Sequence, residues 1–238
     1  MKIMKRIVVL SGAGMSAESG LSTFRDSGGL WEGYDVMEVA SPQGWANKPE
    51  LVLSFYNQRR AQLLTSKPNA AHQALAAFER ESDIAMDIIT QNVDDLHERA
   101  GSQNVLHLHG ELLKARSSVD PELVYPWNKD IVLGDICDKG SQLRPHIVWF
   151  GEEVPMIPKA AERVGLSDAM IIVGTSLQVY PAASLIDFLP SQAPVYYIDP
   201  APSLGHAVNR TKNLTVVAQT ATEGIPTVLQ HIKKTASM

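Results

Sequence analysis

The stretch Ile7-Val-Val-Leu10-Ser-Gly12-Ala-Gly14-Met-Ser16 decides the fold class of this chain. Its apolar residues form a continuous run, which is typical of a strand buried on both faces. The glycines that follow allow a tight turn and a close approach of backbone N–H groups to a phosphate. A Gly-x-Gly turn also occurs in α/β proteins that bind no nucleotide. Because Ala17 stands where the third glycine of the dinucleotide fingerprint would be, a hydride-transferring dehydrogenase is disfavoured.

Apolar runs of the same kind recur along the chain and alternate with helical patterns. We predict strands over 7–10, 84–89, 105–108, 147–150, 169–173, 195–198 and 214–217, and helices over 49–64, 69–78, 158–164, 181–188 and 222–232. This alternation predicts an α/β protein with a parallel sheet and helices on both faces. The segment 113–144 has no clear period and several Pro and Gly residues, which indicates a small inserted module.

The composition limits the classes of partner. The 238 residues are 45% hydrophobic and 20% charged, which suits a globular chain with one or two domains. Its net charge of -5 provides no basic field for a nucleic-acid backbone, so we expect no nucleic-acid partner. The apolar run 7–10 is too short for a signal peptide, and no stretch approaches the roughly 18 apolar residues of a membrane span. We therefore expect a cytoplasmic protein with no membrane partner.

Polar side chains follow the predicted strands at their carboxyl ends, where α/β folds bind ligands. Asn92 and Asp94 come after the strand 84–89, and each is open to two interpretations, as a ligand-binding group or as a helix cap. His107 and His109 share one face if their strand continues, so a metal pair is conceivable. Because no third ligand follows at a suitable spacing, a catalytic base or a structural histidine is favoured over a metal site.

Two further turns have the same character. Gly174-Thr-Ser176 follows the strand 169–173 and offers backbone and hydroxyl donors to a nucleotide, although a plain connection would look the same. Asp199 ends the strand 195–198, where a carboxylate can bind a ribose diol.

In combination, order and spacing, these motifs resemble one family, the sirtuins, which are NAD-dependent protein-lysine deacylases. The similarity runs from Gly12 to Ala221. It is carried by Gly12-Ala-Gly14-x-Ser16 with Phe24-Arg25, Gln91-Asn92-x-Asp94, His109-Gly110, Pro145 through Val148 to Phe150-Gly151-Glu152, and Gly174-Thr175-Ser176.

The resemblance implies one catalytic domain over 1–238 with two parts, and NAD and an acyl-lysine protein or peptide entering the cleft between them. The large Rossmann-like part would cover about 1–36, 66–112 and 145–238, and the small module about 37–65 and 113–144. NAD would be consumed as a co-substrate, giving the free lysine, nicotinamide and an O-acyl-ADP-ribose. The oligomeric state is left open.

The resemblance also implies roles for individual residues. His109 matches the general base that deprotonates a ribose hydroxyl, and an imidazole suits this because its pKa lies near neutrality. Asn92 and Asp94 would act beside it on the carboxamide and ribose region. The residues implied to bind NAD are Gly12, Ala13, Gly14, Ser16, Arg25, Gln91, Asn92, Asp94, Gly174, Thr175, Ser176, Asp199 and Ala221. Asp199 stands where many sirtuins carry Asn. The residues implied to pair with the substrate backbone as an added strand are Val148, Phe150, Gly151 and Glu152.

A second signature concerns the acyl group. Tyr56 and Arg59 are three residues apart on a predicted helix and so share one face, which would ordinarily indicate an amphipathic surface. Their spacing resembles the Tyr-x-x-Arg signature of the sirtuins that remove succinyl and malonyl groups, and Ala40 precedes Tyr56 as the small residue does there. An arginine can bind an acyl carboxylate bidentately, and Ala40 leaves room for a longer chain. The resemblance therefore implies desuccinylation or demalonylation, with deacetylation as a second activity.

The sequence departs from the family at its structural zinc. Sirtuins usually carry two Cys-x-x-Cys pairs, but the corresponding positions here are Ser117, Asp120, Cys137 and Gly140, and the chain has one cysteine. One thiol and a carboxylate do not make a tetrahedral thiolate site, so we expect no zinc. The module would then be held by packing of apolar residues, for which the candidates are Tyr125, Trp127, Ile131, Val132 and Leu133.

Two alternatives stay open on the same fold. One is a protein ADP-ribosyltransferase, and the other is an inactive NAD-sensing module.

Overall fold

The computed structural model describes residues 4–22, 30–31, 33–202 and 211–236. The strands are numbered in chain order. They are β1 (Arg6–Ser11), β2 (Leu30–Trp31), β3 (Tyr34–Asp35), β4 (Ala85–Thr90), β5 (Val105–His107), β6 (Gly110–Ser117), β7 (Val124–Pro126), β8 (Leu143–Ile147), β9 (Ala169–Val173), β10 (Val195–Ile198) and β11 (Leu214–Val217). The α-helices are α1 (Val36–Val39), α2 (Pro42–Asn47), α3 (Pro49–Thr65), α4 (Ala70–Glu81), α5 (Leu96–Ala100), α6 (Ile157–Gly165) and α7 (Ala221–Ala236). Short 3-10 helices cover Ala13–Met15, Ala17–Ser19 and Ala182–Phe188.

The main sheet has six parallel strands in the order β11-β10-β9-β1-β4-β5, which confirms the predicted α/β fold. The strand order reverses at β1, which lies between β4 and β9. In the pairing register, Ser11 lies beside Thr90 of β4 and Val173 of β9. The turns that follow these three strands therefore emerge together at the switch point, where α/β sheets bind ligands.

Alternating side chains of each strand pack on opposite faces of the sheet. Ile7 and Val9 contribute to the core under α4 and α7, whereas Val8 and Leu10 contribute to the core under α6 and the 3-10 helix 182–188. All four are fully buried, so a polar side chain at any of these positions would need a buried hydrogen-bond partner. This explains the uninterrupted apolar run.

Two predicted elements differ in the structure. The strand expected over 147–150 is wrong, because β8 ends at Ile147 and the next residues bond elsewhere. The Val148 N–H donates to the His109 carbonyl at 2.9 Å, and the Phe150 N–H donates to the Ala40 carbonyl at 3.0 Å. The segment 182–188 is a 3-10 helix rather than an α-helix.

The inserted segment forms an antiparallel sheet in the order β7-β6-β8, which had no visible period in the sequence. Its pairing is irregular between Gly110 and Ala115, which interrupts the alternation that would have revealed β6. Helix α3 packs on this sheet through Leu53, which shares a core cluster with Ala115 and Leu143. The two-part division of the domain stays a prediction, and this contact is consistent with it.

The packing predicted for the module is partly wrong. Ile131 is fully buried, and Tyr125 and Trp127 pack against the same cluster. Val132 is 54% exposed and Leu133 is 48% exposed, so neither belongs to the core. They lie in the loop between β7 and β8, where the Val132 N–H donates to the Asp135 carboxylate at 2.9 Å.

Among the described residues, no helix combines the length and apolar character needed to cross a bilayer.

Candidate active site

Two glycine turns interlock at the carboxyl ends of β1 and β9. The Gly14 N–H donates to the Gly174 carbonyl at 2.9 Å, and the Gly12 N–H donates to the Val173 carbonyl at 3.0 Å. A Cβ atom on Gly14 would lie 2.7 Å from the Gly174 Cα atom, and Gly174 itself has a φ angle of +60°. The glycines therefore serve the contact between two turns as well as any approach to a phosphate.

The turns after β1 and β4 are joined by a chain of side-chain hydrogen bonds. Asn92 Nδ2 donates to Ser16 Oγ at 3.0 Å, and Ser16 Oγ donates to Asp94 Oδ2 at 2.9 Å. Asp94 Oδ1 also accepts from the Leu96 N–H at 3.1 Å at the start of α5. The N-cap of α5 is Asp95 rather than Asp94, and the Asp94 carboxylate lines the cavity described below, so its role as a ligand-binding group stays a prediction. Burial raises the pKa of Asp94, against the hydrogen bonds from Leu96 and Ser16.

His109 is oriented by the backbone of the neighbouring turn. Its Nδ1 lies 3.0 Å from the Gln91 carbonyl oxygen, which can only accept, so Nδ1 carries the proton and Nε2 keeps its lone pair. Burial lowers the pKa of His109, and the bond to Gln91 opposes this shift. Because the pKa lies below its ordinary value, the imidazole is neutral at pH 7 and can act as a base. Gln91 Nε2 donates to Thr175 Oγ1 at 3.0 Å, which ties the turns after β4 and β9 together.

The other histidines near this edge have different partners. His107 Nε2 lies 2.7 Å from Glu98 Oε1, and His107 Nδ1 lies 3.1 Å from the Asn92 carbonyl oxygen. His97 is buried, with Nε2 3.0 Å from Ser11 Oγ, so it is a packing histidine. Across the described ranges, no cluster of three or more His, Cys, Asp or Glu side chains is arranged to hold a metal ion.

A second group of side chains comes from α3 and from the segment after β8. Trp149 Nε1 donates to Tyr56 Oη at 3.1 Å. The Arg59 guanidinium lies 3.4 Å from the centre of the Phe55 ring and donates to the Phe55 carbonyl at 2.8 Å. Trp31 completes the group, with its ring 5.3 Å from the Arg59 guanidinium carbon. The predicted common face of Tyr56 and Arg59 is therefore present, but it is buried rather than on an amphipathic surface.

The segment predicted to bind the substrate strand uses several of its own groups internally. The N–H groups of Val148, Phe150 and Glu152 all donate within the protein. A substrate strand would therefore pair with carbonyl oxygens of this segment or with the Gly151 N–H. The Glu152 carboxylate is held by Arg144 at 2.7 Å and by Arg116 at 3.1 Å, a role that its motif did not reveal.

One cavity of about 920 Å³ brings these groups together. It has two ends, which we call the sheet end, formed by the turns after β1, β4 and β9 with His109, and the aromatic end, formed by Ala40, Tyr56, Arg59 and Trp149. The predicted site residues that line it are Gly12, Ala13, Gly14, Ser16, Ala40, Tyr56, Arg59, Gln91, Asn92, Asp94, His109, Val148, Phe150, Gly151, Glu152, Gly174, Thr175, Ser176, Asp199 and Ala221. Arg25 lies outside the described residues.

The lining also includes residues that were not predicted. Trp31 and Trp149 belong to it, and Glu18 lies at the sheet end. Trp149 stands between two predicted residues, Val148 and Phe150, so its position was available from the motif. The motif did not indicate that the Trp149 side chain is oriented toward Tyr56.

The sheet end suits a dinucleotide. Buried hydroxyl, amide and carboxylate groups of Ser16, Asn92 and Asp94 line it, and such groups bind ribose hydroxyls and a carboxamide. The glycine turns also line it, and turns of this kind at strand ends bind pyrophosphate in α/β folds. The residues present therefore fit NAD.

The four positions that correspond to zinc ligands do come together, but with other chemistry. Cys137 Sγ lies 3.3 Å from Ser117 Oγ, and Ser117 Oγ accepts from the Asp120 N–H at 3.2 Å. The Asp120 carboxylate pairs with the Lys139 ammonium at 2.7 Å. Gly140 has no ligating side chain, so this donor set does not fit a tetrahedral zinc ion.

Known proteins are similar to this chain in sequence and in fold. The Sir2 family model matches residues 12–181. An NAD-dependent protein deacylase of Helicobacter pylori strain J99 is 62% identical over 197 residues, covering 83% of each chain. One from Helicobacter pylori strain 26695 is 54% identical over 234 residues, covering 98% of this chain and 100% of its own. A solved Sir2 homologue in complex with ADP-ribose superposes with a TM-score of 0.87 at 38% identity, covering 99% of this chain and 94% of its own.

The fold and the site thus define a Rossmann-like enzyme with a cavity at the switch point of its sheet. The chain belongs to the Sir2 family, the sirtuins.

Proposed function

We propose that this NAD-dependent protein deacylase acts preferentially on succinyl-lysine and malonyl-lysine, with acetyl-lysine as a second substrate. The observation that carries the proposal is that Tyr56 and Arg59 line the same cavity as His109. An acyl-lysine that presents its carbonyl at the sheet end can therefore extend its acyl chain toward a guanidinium and a phenol.

The surroundings of Arg59 favour an anionic acyl group. Phe55 and Trp31 flank the guanidinium, and the residue is only 7% exposed. Charges attract more strongly in such a water-poor environment, and a guanidinium binds a carboxylate through two parallel hydrogen bonds. A neutral acetyl group gains nothing from this arrangement.

Ala40 contributes space at the same end. It is buried, and its carbonyl accepts from the Phe150 N–H at 3.0 Å, which fixes its methyl group beside the substrate-binding segment. A larger side chain there would fill volume that a succinyl or malonyl chain needs.

In this proposal His109 acts as the general base. NAD supplies the ADP-ribosyl group that accepts the acyl group from lysine. With Nδ1 held by Gln91, the His109 Nε2 lone pair is free to take a proton from a ribose hydroxyl. Asn92 and Asp94 are fixed through Ser16 and orient the ribose and carboxamide groups.

We also propose that the protein needs no zinc. Asp120 and Lys139 form an ion pair at the positions where the family carries a metal site, and Cys137 bonds to Ser117. These contacts, with the packing of Ile131 and Leu143, hold the loop together in place of a metal.

The test compares succinyl-, malonyl- and acetyl-lysine peptides of one sequence, with peptide mass and nicotinamide release measured together. We expect Arg59→Met to lower kcat/KM on the acidic acyl peptides at least about thirtyfold, since removing one partner of a buried charge pair costs about 2–5 kcal/mol. Activity on the acetyl peptide should change little.

Arg60→Met is the matched control. This change removes a guanidinium from the same helix, but Arg60 donates to the Leu112 carbonyl and is not part of the cavity lining. Its effect should fall equally on all three peptides. An equal loss on all peptides in Arg59→Met would contradict the proposed preference. ADP-ribose on protein without acyl loss would support a transferase, and NAD binding without nicotinamide release would support a sensor.

A further inference from the structure

We propose that Trp149 is a positioning residue for acyl specificity, which acts by directing the Tyr56 hydroxyl proton toward the acyl carboxylate. The inference rests on the proposed succinyl and malonyl preference and assigns a residue that the Tyr-x-x-Arg signature does not contain. Its basis is the hydrogen bond of 3.1 Å between Trp149 Nε1 and Tyr56 Oη.

The direction of this bond is fixed by chemistry. An indole N–H can only donate, so Tyr56 Oη is the acceptor and one of its lone pairs is occupied. Within the described part of the chain, this is the hydrogen bond that the phenol makes, so its own proton has no partner there. The phenol therefore presents a donor to the cavity, which a carboxylate can accept.

The phenol stays protonated at the pH where the enzyme works. Tyr56 is fully buried, and burial raises its pKa well above the ordinary value, against the effects of Trp149 and of the nearby Arg144 and Arg59 charges. A neutral phenol beside Arg59 matches a carboxylate ligand, because one group donates a hydrogen bond and the other provides charge.

Trp149 is itself held in place through its ring and through its backbone N–H. The Arg144 guanidinium carbon lies 3.2 Å from the centre of its ring, and the Trp149 N–H donates to the Glu152 carboxylate at 2.8 Å. Glu152 in turn binds Arg144 through both oxygens, at 2.7 and 3.1 Å. The indole is 2% exposed, so its N–H cannot turn to water instead. The orientation of Tyr56 thus depends on an ion-pair network in the substrate-binding segment.

The experiment is Trp149→Phe, which keeps an aromatic ring and removes the donor. We expect KM for succinyl- and malonyl-lysine peptides to rise about three- to tenfold, since a single hydrogen bond contributes about 0.5–1.5 kcal/mol. The rise in KM should be smaller for the acetyl peptide, because an acetyl group has no carboxylate to accept the Tyr56 proton, and kcat should change less than KM on the acidic acyl peptides.

Trp45→Phe is the matched control. Trp45 packs against Trp149 with ring centres 5.8 Å apart, so this change makes the same truncation in the same aromatic cluster without touching the bond to Tyr56. It should not discriminate between acidic and neutral acyl groups. The double variant with Tyr56→Phe gives the decisive cycle, because Trp149→Phe should have no further selective effect once the hydroxyl is gone.

Each outcome decides the proposal. A KM rise that is equal for all peptides, or one that persists in the Tyr56→Phe background, means that Trp149 acts only through packing and overturns the inference. If the wild-type enzyme removes acidic acyl groups but Trp149→Phe is unselective, this inference alone fails. If the wild-type enzyme leaves succinyl and malonyl peptides intact, the proposed function fails together with it.

Discussion

At the sheet end of the cavity the walls are turns that follow β1, β4 and β9, whereas at the aromatic end they are side chains of α3 and of the segment after β8. The sheet end is held by backbone contacts between the turns, such as the 2.9 Å bond between Gly14 and Gly174, together with side-chain bonds such as that from Ser16 to Asp94. The aromatic end is held by ring contacts and by side-chain hydrogen bonds such as those from Trp149 to Tyr56 and from Arg59 to the Phe55 carbonyl. The sheet end therefore has main-chain contacts between its turns in addition to side-chain bonds, whereas the contacts between elements at the aromatic end involve mainly side chains.

This difference separates chemistry from selectivity. Groups that follow the strands of a packed sheet are fixed by every hydrogen bond of that sheet, so their geometry survives most side-chain changes. Groups at the aromatic end are fixed by a few neighbours, so a single substitution can change which acyl chain fits without disturbing the base. We therefore expect substitutions at the sheet end to alter turnover on all acyl groups, and those at the aromatic end to alter the choice among them.

The largest expected effect is at His109. In His109→Ala, turnover should fall about 10²–10⁴-fold on every acyl peptide, since general-base assistance is worth about that much. Binding of NAD, measured by calorimetry, should stay nearly unchanged, because Nδ1 bonds to Gln91 and other groups line the nucleotide site. Unchanged turnover would refute the assignment of the base, and a loss confined to acidic acyl peptides would break the separation of the two ends.

A smaller effect is expected where the two glycine turns meet. In Gly174→Ala, the new Cβ would lie 2.3 Å from the Met15 nitrogen, at a φ angle of +60°. We expect the free energy of unfolding to fall by about 2–4 kcal/mol and NAD affinity to fall with it. Gly140→Ala is the control, because Gly140 has a φ angle of +75° but no atom within 4 Å of the added Cβ. Equal losses of stability in the two variants, measured by denaturant titration, would mean that the interlock contributes nothing beyond backbone strain.

The smallest expected effect is that of a metal chelator. Incubation with 1,10-phenanthroline should leave Tm and kcat/KM unchanged, and metal analysis of the purified protein should find no stoichiometric zinc, because Lys139 and Ser117 engage the side chains at these positions. By contrast, Lys139→Met should lower Tm slightly. A fall in Tm on chelation, with release of one zinc per chain, would contradict the proposal.

Local patterns in the sequence predicted much of the fold. The strands 169–173, 195–198 and 214–217 have the predicted bounds, α3 is one residue longer than predicted at its end, and α6 is one residue longer at each end. The antiparallel sheet of the inserted module escaped prediction because β7 is three residues long and β6 pairs irregularly, so neither has a readable alternation.

For the site, the sequence placed His109, Asn92 and Asp94 after strands, and the cavity includes all three. The sequence did not reveal the hydrogen-bond partners of these groups. Asp94, for example, accepts from the Leu96 N–H at the start of α5 and from Ser16 Oγ. The pairing of Glu152 with a substrate strand stays a prediction, and the motif did not reveal that its carboxylate binds two arginines. The packing of Val132 and Leu133 was predicted wrongly because hydrophobicity alone does not reveal which apolar residues of an irregular loop face the core.

By itself, the sequence determined the parallel sheet, the glycine turns at its switch point and the chemical groups that follow the strands, because alternation, glycine and strand ends are signals within a few residues. Only the tertiary structure decided which side chains meet, as with Trp149 and Tyr56, which are 93 residues apart. Such contacts depend on the packing of α3 against Leu112 and Ile147, which no short-range pattern specifies.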